Sequence, residues 1–351
     1  MSLLVFDTFR SLALRFGICG LSLGLLTDSG FSQDTSSRET PDEVIASIAH
    51  TVRDILRASK DAVVRVEWED PKGLIRCTGF YIDAMGTLYS PALRTADTQA
   101  VYVVKDGKRT EAEILVNDSR CGIALLRSKT NNSSFLRLGN NASLDIASPV
   151  LVIGYPMDLD ISPGFGLVSG FDKKFGGIYF PTTHIRANIP VQRGEAGAPL
   201  LNMQGQVVGI VISSVDGGAT CYALPIEAAE KINYDFKRYG ELRPGWLGVK
   251  VERLKGVQTT EPLTVVAALD PEGPAAKAGL RVGDLVLRLG KHEVKQPEDV
   301  LDASFFLTAK EPETLEIIRN GVSKTLQITP ELHPSASTDS SQQVAFPQTF
   351  R

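Results

Sequence analysis

From residue 62 onward the chain is broken into short β-branched runs, among them "AVVRVEW", "GFYID", "AVYVV", "AEILVN", "IALLRS", "PVLVIGY", "GFGLVSGF", "HIRANI", "QVVGIVIS" and "CYALP". Each is bounded by turn residues such as Asp106-Gly107, Gly139-Asn140-Asn141 and Asp216-Gly217-Gly218. Repeated short strands with no helical stretch between them exclude βαβ units and predict a mainly β fold, an all-β barrel or sandwich. Ten to twelve strands over about 170 residues fit two small barrels packed together. One helix is expected on either side. Thr40 caps the first, with Pro41 at its opening position and Glu43 closing a capping box; Val44, Ile45, Ile48, Val52, Ile55 and Leu56 then recur at helical steps. "PIEAAEKINYDFKRYG", residues 225–240, gives the second, and Pro244-Gly245 marks a linker.

A separate module is expected from Trp246 to about Leu332. It holds "WLGVKVERL", "LTVVAAL", "DPEGPAAKAGLRVGDLVLRLG", a helix "PEDVLDASFF" and a hairpin turning at Asn320-Gly321. The Ser/Gln/Thr-rich tail, residues 333–351, has a disordered composition. At the other end, Arg10 and Arg15 precede the apolar "FGICGLSLGLL" and then small polar residues. That run suits a signal segment over residues 1–32 and is short for a permanent span; an uncleaved anchor or a misassigned start are the alternatives.

The formal net charge is −4, and the Lys and Arg residues are scattered. A nucleic-acid surface concentrates basic charge on one face, so that partner is not expected. Beyond Cys19 in the signal segment stand Cys77, Cys121 and Cys221, in no CxxC or Cys/His cluster. No metal or other cofactor is therefore expected; buried inert thiols are the first reading and one disulfide the second.

One loop raises the question of chemistry. "RGEAGAPL", residues 193–200, lies between two strand-like runs and has the glycine-rich shape that presents a nucleophilic serine, with Ala196 at its tip. Taken with "TGFYIDAMGTL", "NDSRCGIALLRS", "LGNNASLDIASPVLVIGYPMDLDISPGFGLVSGF", "RGEAGAPLLNMQGQVVGIV" and "DPEGPAAKAGLRVGDLVLRL", it resembles the HtrA/Deg family of exported serine proteases over residues 42 to about 330. The resemblance implies a trypsin-like double barrel over 62–240, preceded by an N-terminal segment and helix over 33–61, and a PDZ domain over 245–332.

Carried onto this sequence, the family's nucleophile position in G-N-S-G-G-P-L holds Ala196, and its aspartate position holds Gly122. Counting from Gly86 puts its histidine on Leu93, or on Ala92 if the loop is one residue shorter; the four histidines are His50, His184, His292 and His333. Acyl transfer needs a hydroxyl, an imidazole to take its proton and a carboxylate to orient the imidazole. No catalytic residue is expected at these positions, though the main-chain amides of Gly194 and Ala196 still suit an oxyanion hole. Cys121, Cys221, Ser213, Ser214 and His184 are the residues from which a rebuilt site would have to be made; His184 reads as a surface or interface residue.

A PDZ domain binds a free C-terminus by β-addition, its carboxylate held by main-chain amides. Trp246, Leu247, Gly248 and Val249 match the carboxylate loop, and Val300, Leu301 and Ser304 are the expected groove contacts on the facing helix; a vestigial groove sealed by Trp246 is the alternative. Gly209 to Ser213 is where a trypsin-fold protein pairs an extended chain. The expected function is thus an exported, catalytically inactive homologue, periplasmic or in the cell envelope, that binds unfolded proteins or protein C-termini as chaperone, adaptor or regulator of an active HtrA-like protease. An endopeptidase with an unconventional site and a structural envelope protein are the alternatives. Homo- or hetero-oligomers, trimers by resemblance, are implied.

Overall fold

The computed structural model describes residues 40–71, 73–93, 100–130, 134–254 and 263–333. The signal segment, and the polar tail beyond His333, lie outside them. Helix α1 (Pro41–Ser59) opens on the expected capping box: the Thr40 amide donates to Glu43 Oε2 at 2.7 Å and the Glu43 amide returns to Thr40 Oγ1 at 3.3 Å. Its later turns bury Ile55 and lay Val52 and Leu56 on the core, while Ile45 and Ile48 are exposed.

Twelve strands form two closed six-stranded barrels. The first comprises β1 (Val63–Asp70), β2 (Gly73–Tyr81), β3 (Thr87–Pro91), β4 (Val101–Lys105), β5 (Lys108–Asp118) and β6 (Ile123–Ser128), in the order β1-β2-β3-β6-β5-β4. The second comprises β7 (Pro149–Gly154), β8 (Ser162–Phe175), β9 (Ile178–Ala187), β10 (Pro199–Asn202), β11 (Val207–Val215) and β12 (Thr220–Pro225), in the order β10-β11-β12-β9-β8-β7. Closure removes the free edges that runs this rich in Val and Ile would otherwise expose. Strand alternation sends one set of apolar side chains into each lumen, such as Trp68, Leu88 and Leu126 in the first and Val152, Ile185 and Val211 in the second. The other set builds a core between the barrels from Phe80, Tyr89, Ile123, Leu151, Ile153 and Ile210. Helix α2 (Ile226–Tyr239) adds Ile226, Ala229 and Ile232 to it and stops at Gly240 (φ 72°).

The C-terminal module has its own core and one sheet. Its elements are β13 (Val249–Arg253), β14 (Thr264–Leu269), α3 (Pro274–Lys277), β15 (Leu285–Leu289), β16 (His292–Glu293), α4 (Pro297–Phe305), β17 (Glu313–Arg319) and β18 (Val322–Ile328). The sheet order is β13-β14-β15-β17-β18, with β16 beside β15. Asn320 (φ 51°) and Gly321 (φ 77°) make the expected two-residue turn. Pro244-Gly245 is no loose linker: the Gly245 amide donates to Leu307 O at 3.1 Å, and a Cβ there would stand 2.5 Å from Leu307 Cβ.

Candidate functional site

The loop over residues 192–198 is held between the two barrels by main chain. The Thr78 amide donates to Ala196 O at 3.0 Å, the Gly197 amide to Val211 O at 2.7 Å and the Val211 amide to Ala198 O at 2.9 Å. Gly197 (φ 82°) is packed so closely that a Cβ would lie 2.2 Å from Thr78 O and 2.4 Å from Pro91 Cδ, which requires glycine. Thr78 is wholly buried and was not singled out from the sequence: its hydroxyl donates to Gly194 O at 2.7 Å and accepts the Tyr155 amide at 3.1 Å. Behind the loop, the Met157 amide donates to Arg193 O at 2.6 Å. The neighbouring turn is fastened by Arg76 on Asp158 at 2.9 Å and by Arg65 on the carbonyls of Asp158 and Leu159 at 2.9 and 2.7 Å.

The end of β3 meets the entry to β6 beside this loop. The Ala92 amide donates to Gly122 O at 2.9 Å, and Pro91 abuts Gly197. Leu93 departs from the expectation. Its side chain is buried in the first-barrel lumen, and the Asn117 side-chain amide brackets its main chain at 2.9 and 3.0 Å. Successive side chains of an extended segment point oppositely, so the residue beside Gly122 is Ala92, the shorter of the two loop counts. Gly122 has φ 78°, a conformation open to glycine and strained for other residues. Ala92 and Gly122 are thus bonded to each other, and Ala196 lies on the loop against which Thr78 and Pro91 pack. Among the described residues, the amides of Gly194 and Ala196 have no main-chain or side-chain acceptor, as an oxyanion hole requires.

The other nucleophiles and bases are placed differently. Cys121 is buried, with its thiol 3.5 Å from Asp118 Oδ2; burial first, then the Asp118 charge, holds its pKa well above the ordinary thiol value. Burial pushes the Cys221 thiol up to about 12, so neither supplies a thiolate near neutrality. Cys77 is half-buried, and no disulfide joins the cysteines among the described residues. No group of three or more possible metal ligands occurs among the described residues. Glu195 is buried, accepts the Gln192 amide at 2.7 Å, and has its pKa raised by burial.

His184 is wholly buried, not a surface residue. Its Nδ1 meets Thr182 O at 2.7 Å, its ring packs on Phe180, and burial lowers its pKa to about 4.

Gly209 and Ile210 have strands on both flanks, pairing with Leu200 and Pro199 of β10 and with Pro225 and Leu224 of β12. The expected pairing stretch therefore shifts along the chain. From Ile212 to Val215, β11 has β12 on one flank and no strand on the other among the described residues. Gly122 faces Ile212 at the start of this flank, 3.6 Å from a Cβ position to Ile212 Cβ.

In the C-terminal module β13 is an edge strand. Leu247 is buried, its carbonyl accepting the Ala275 amide at 2.9 Å; Gly248 (φ 70°) accepts the Asp270 amide at 2.8 Å. The Leu247 and Gly248 amides have no acceptor among the described residues. Trp246 exchanges main-chain bonds with Glu331 and sets its ring edge-on to His333. On α4, Leu301 is 45% exposed, whereas Val300 belongs to the core at 6%. Neighbouring helical residues point about 100° apart, so Val300 faces inward and is corrected from groove contact to core. The Ser304 hydroxyl is turned back on Val300 O at 2.6 Å.

The barrel-facing side of α4 is tied to the second barrel. Asp302 Oδ1 accepts the Thr182 hydroxyl and the Thr183 amide, both at 2.6 Å; Lys173 pairs with Asp299, and Lys174 with Glu298 at 3.5 Å.

Residues 77–210 match the trypsin-like peptidase domain and residues 245–329 the PDZ domain. A probable periplasmic serine endoprotease, DegP-like, of Pseudomonas putida (strain W619) is 30% identical over 275 residues, covering 75% of this chain and 57% of the relative. The like-named protein of Halomonas elongata is 28% identical over 265 residues, covering 72% and 55%. The chain thus spans little more than half the length of these relatives. Among solved structures, the HtrA-type protease AlgW with a tripeptide aligns with a TM-score of 0.68 at 22% identity, covering 81% of this chain and 97% of the other. AlgW with a decapeptide gives 0.64 at 21%, covering 81% and 99%.

Proposed function

Because this chain belongs to the HtrA/Deg family, a trypsin-like barrel pair followed by a PDZ domain, we propose that it is an exported, periplasmic member that holds peptide segments without cleaving them. The observation that carries this reading is that Ala92 and Gly122, bonded to each other beside the loop, and Ala196 within it carry no side chain able to attack or to move a proton. A hydroxyl, an imidazole and a carboxylate are the groups acyl transfer requires, and an oxyanion hole alone gives only about 10³- to 10⁴-fold over water. Binding makes no such demand. An extended chain can pair with the flank of Ile212–Val215 that no strand among the described residues covers, through main-chain bonds, and a C-terminus can add beside β13 with its carboxylate on the Leu247 and Gly248 amides. Leu301 supplies the exposed apolar wall for the last side chain. In this role the chain acts as chaperone, adaptor or regulatory partner, alone or assembled with an active homologue.

The names of the relatives favour a second reading, serine-type endopeptidase activity through an unconventional site. Its nucleophile would have to come from outside Ala196, and the buried thiols of Cys121 and Cys221 are poorly disposed for it.

Incubating the full chain with an unfolded protein and with a fluorophosphonate serine probe separates the two. We expect neither turnover nor labelling; turnover abolished by a substitution in the second barrel would establish the endopeptidase instead. Affinity for peptides with free and with amidated C-termini tests the PDZ groove, where equal binding would remove the carboxylate argument.

A further inference from the structure

On the second barrel's outer face a cavity of about 620 Å³ opens beside the end of the Ile212–Val215 flank. Val215 lines it, with its cross-strand partner Thr220 and with Tyr222, the partner of Ser213. The far wall is the β8–β9 hairpin: Asp172, Lys174, Phe175, Tyr179 and Arg186.

Arg186 is built into place. Its Nε donates to Asp172 Oδ2 at 2.7 Å, and that same oxygen accepts the Tyr222 hydroxyl at 2.9 Å. The guanidinium lies against Gly170, where a Cβ would come within 2.4 Å of Nη2, so a glycine there leaves the room for this placement. Asp172 is thereby occupied, and Arg186 Nη1 and Nη2 have no acceptor among the described residues. Lys174 adds a second cation, 5.5 Å from the Tyr179 ring centre and 3.5 Å from Glu298. Phe175 and Tyr222, with ring centres 5.8 Å apart, form apolar walls that exclude water from one side of the charges.

We propose that this cavity receives an acidic side chain, Asp or Glu, of an extended peptide seated along the Ile212–Val215 flank. The inference rests on the reading that the second barrel holds such a chain. A strand added there would run about 4.8 Å from β11, and its outward side chain opposite Val215 would start about 5 Å from the Val215 Cβ, at the cavity mouth. Asp172 takes only the Nε edge of Arg186 and Glu298 balances Lys174, so the cavity's available donors are Nη1 and Nη2 of the guanidinium, whose fork suits a carboxylate in two-point contact.

The test uses the full chain and fluorescent hexapeptides of alternating Val and Thr, amidated so that the PDZ groove cannot hold a terminal carboxylate. Glu, Gln, Lys or Phe is placed at each outward position in turn. At one position Glu should bind about tenfold more tightly than Gln, as a charge-assisted hydrogen bond predicts, with the gap narrowing at 0.5 M salt. Arg186→Gln should erase the preference while the Gln peptide still binds. The double variant Arg186→Gln/Asp172→Asn guards against a fold damaged by an unpaired Asp172, and should behave the same way.

Equal binding of Glu and Gln peptides, tightest binding of Phe, or a Glu preference that survives in the double variant overturns the assignment while leaving the barrel reading intact. Failure of every amidated peptide to bind overturns that reading and this inference together. A Gln peptide with a free C-terminus, measured in the Leu301→Asp chain, shows whether a terminal carboxylate fills the cavity. If it binds as tightly as the amidated Glu peptide, the side-chain assignment falls.

Discussion

The Thr78 hydroxyl bridges the two barrels at the candidate site, donating to Gly194 O at 2.7 Å while accepting the Tyr155 amide at 3.1 Å. Valine keeps the shape of threonine and loses both bonds, stranding a buried carbonyl and an amide. Thr78→Val should lower stability by about 2 kcal/mol in urea unfolding. It should also weaken binding of amidated extended peptides, with C-terminal peptides unaffected. A loss confined to the C-terminal peptides would show that Thr78 does not shape the barrel site.

Restoring the missing hydroxyl should not restore chemistry. Ala196 is half-buried and its neighbours leave the loop main chain intact, so Ala196→Ser should fold with stability within about 0.5 kcal/mol of the parent. Without an imidazole to take its proton, the new serine should remain unlabelled by fluorophosphonate. Gly122→Asp should be the more damaging change, by about 1 kcal/mol, because of the φ of 78°. Rapid labelling of Ala196→Ser would reveal a base among residues not assigned here to the site.

The α4 clamp offers a comparison of two carboxylates. Asp299 accepts the Lys295 and Gln296 amides at 2.7 and 2.9 Å as well as pairing with Lys173, whereas Asp302 serves only Thr182 and Thr183. Asp302→Ala should therefore loosen the contact between the modules at a cost of about 2 kcal/mol while α4 stays capped, and Asp299→Ala should additionally fray the helix. Hydrogen exchange across residues 295–305 distinguishes them: protection should fall for Asp299→Ala and hold for Asp302→Ala.

Acid should weaken the same region. Burial lowers His184 to about 4, against about 6.5 in an unfolded chain, so between these values the unfolded state binds the extra proton. The stability contributed by keeping His184 neutral is complete above pH 6.5 and is lost as pH falls towards 4, by up to about 3 kcal/mol. His292, also lowered by burial, adds to the slope in the same direction. His184→Gln should flatten the stability profile over pH 4 to 6.5 without removing the slope entirely. An unchanged profile would mean that the imidazole is not buried in solution.

Binding and folding should separate in the PDZ module. Leu301 is exposed, so Leu301→Asp should leave the melting temperature nearly unchanged and reduce C-terminal peptide affinity at least tenfold. Gly248→Ala, with φ 70° and a Cβ position 3.1 Å from Trp246 and Asp270 atoms, should lower both stability and affinity. Retained affinity in both variants would argue for a vestigial groove.

The barrels, both long helices and the final hairpin were legible because each rests on a local pattern: alternation in β1, the Thr40–Glu43 box, and the Asn320-Gly321 turn. The loop around Ala196 was legible because its glycines are needed by its own turn. What escaped depends on partners far along the chain. Thr78 became significant only through Gly194, 116 residues away, and the α4 clamp joins Lys173 to Asp299 across 126. Leu93 and Val300 each stand one residue from the position that faces the site. Sequence spacing reached Ala92 and Leu301 as well but could not choose between neighbours, because the approach to the cleft is fixed by Asn117 in one case and the module core in the other.

Asp235 of α2 takes the Lys231 ammonium at 2.6 Å, the Arg243 amide at 3.1 Å and the Thr308 hydroxyl of the PDZ module at 3.0 Å. Removing the PDZ module would leave Asp235 short of a partner within the barrel domain itself, so neither half is indifferent to the loss of the other. The two halves should melt in one calorimetric transition, and cutting the chain near residue 244 should lower the melting point of the barrels.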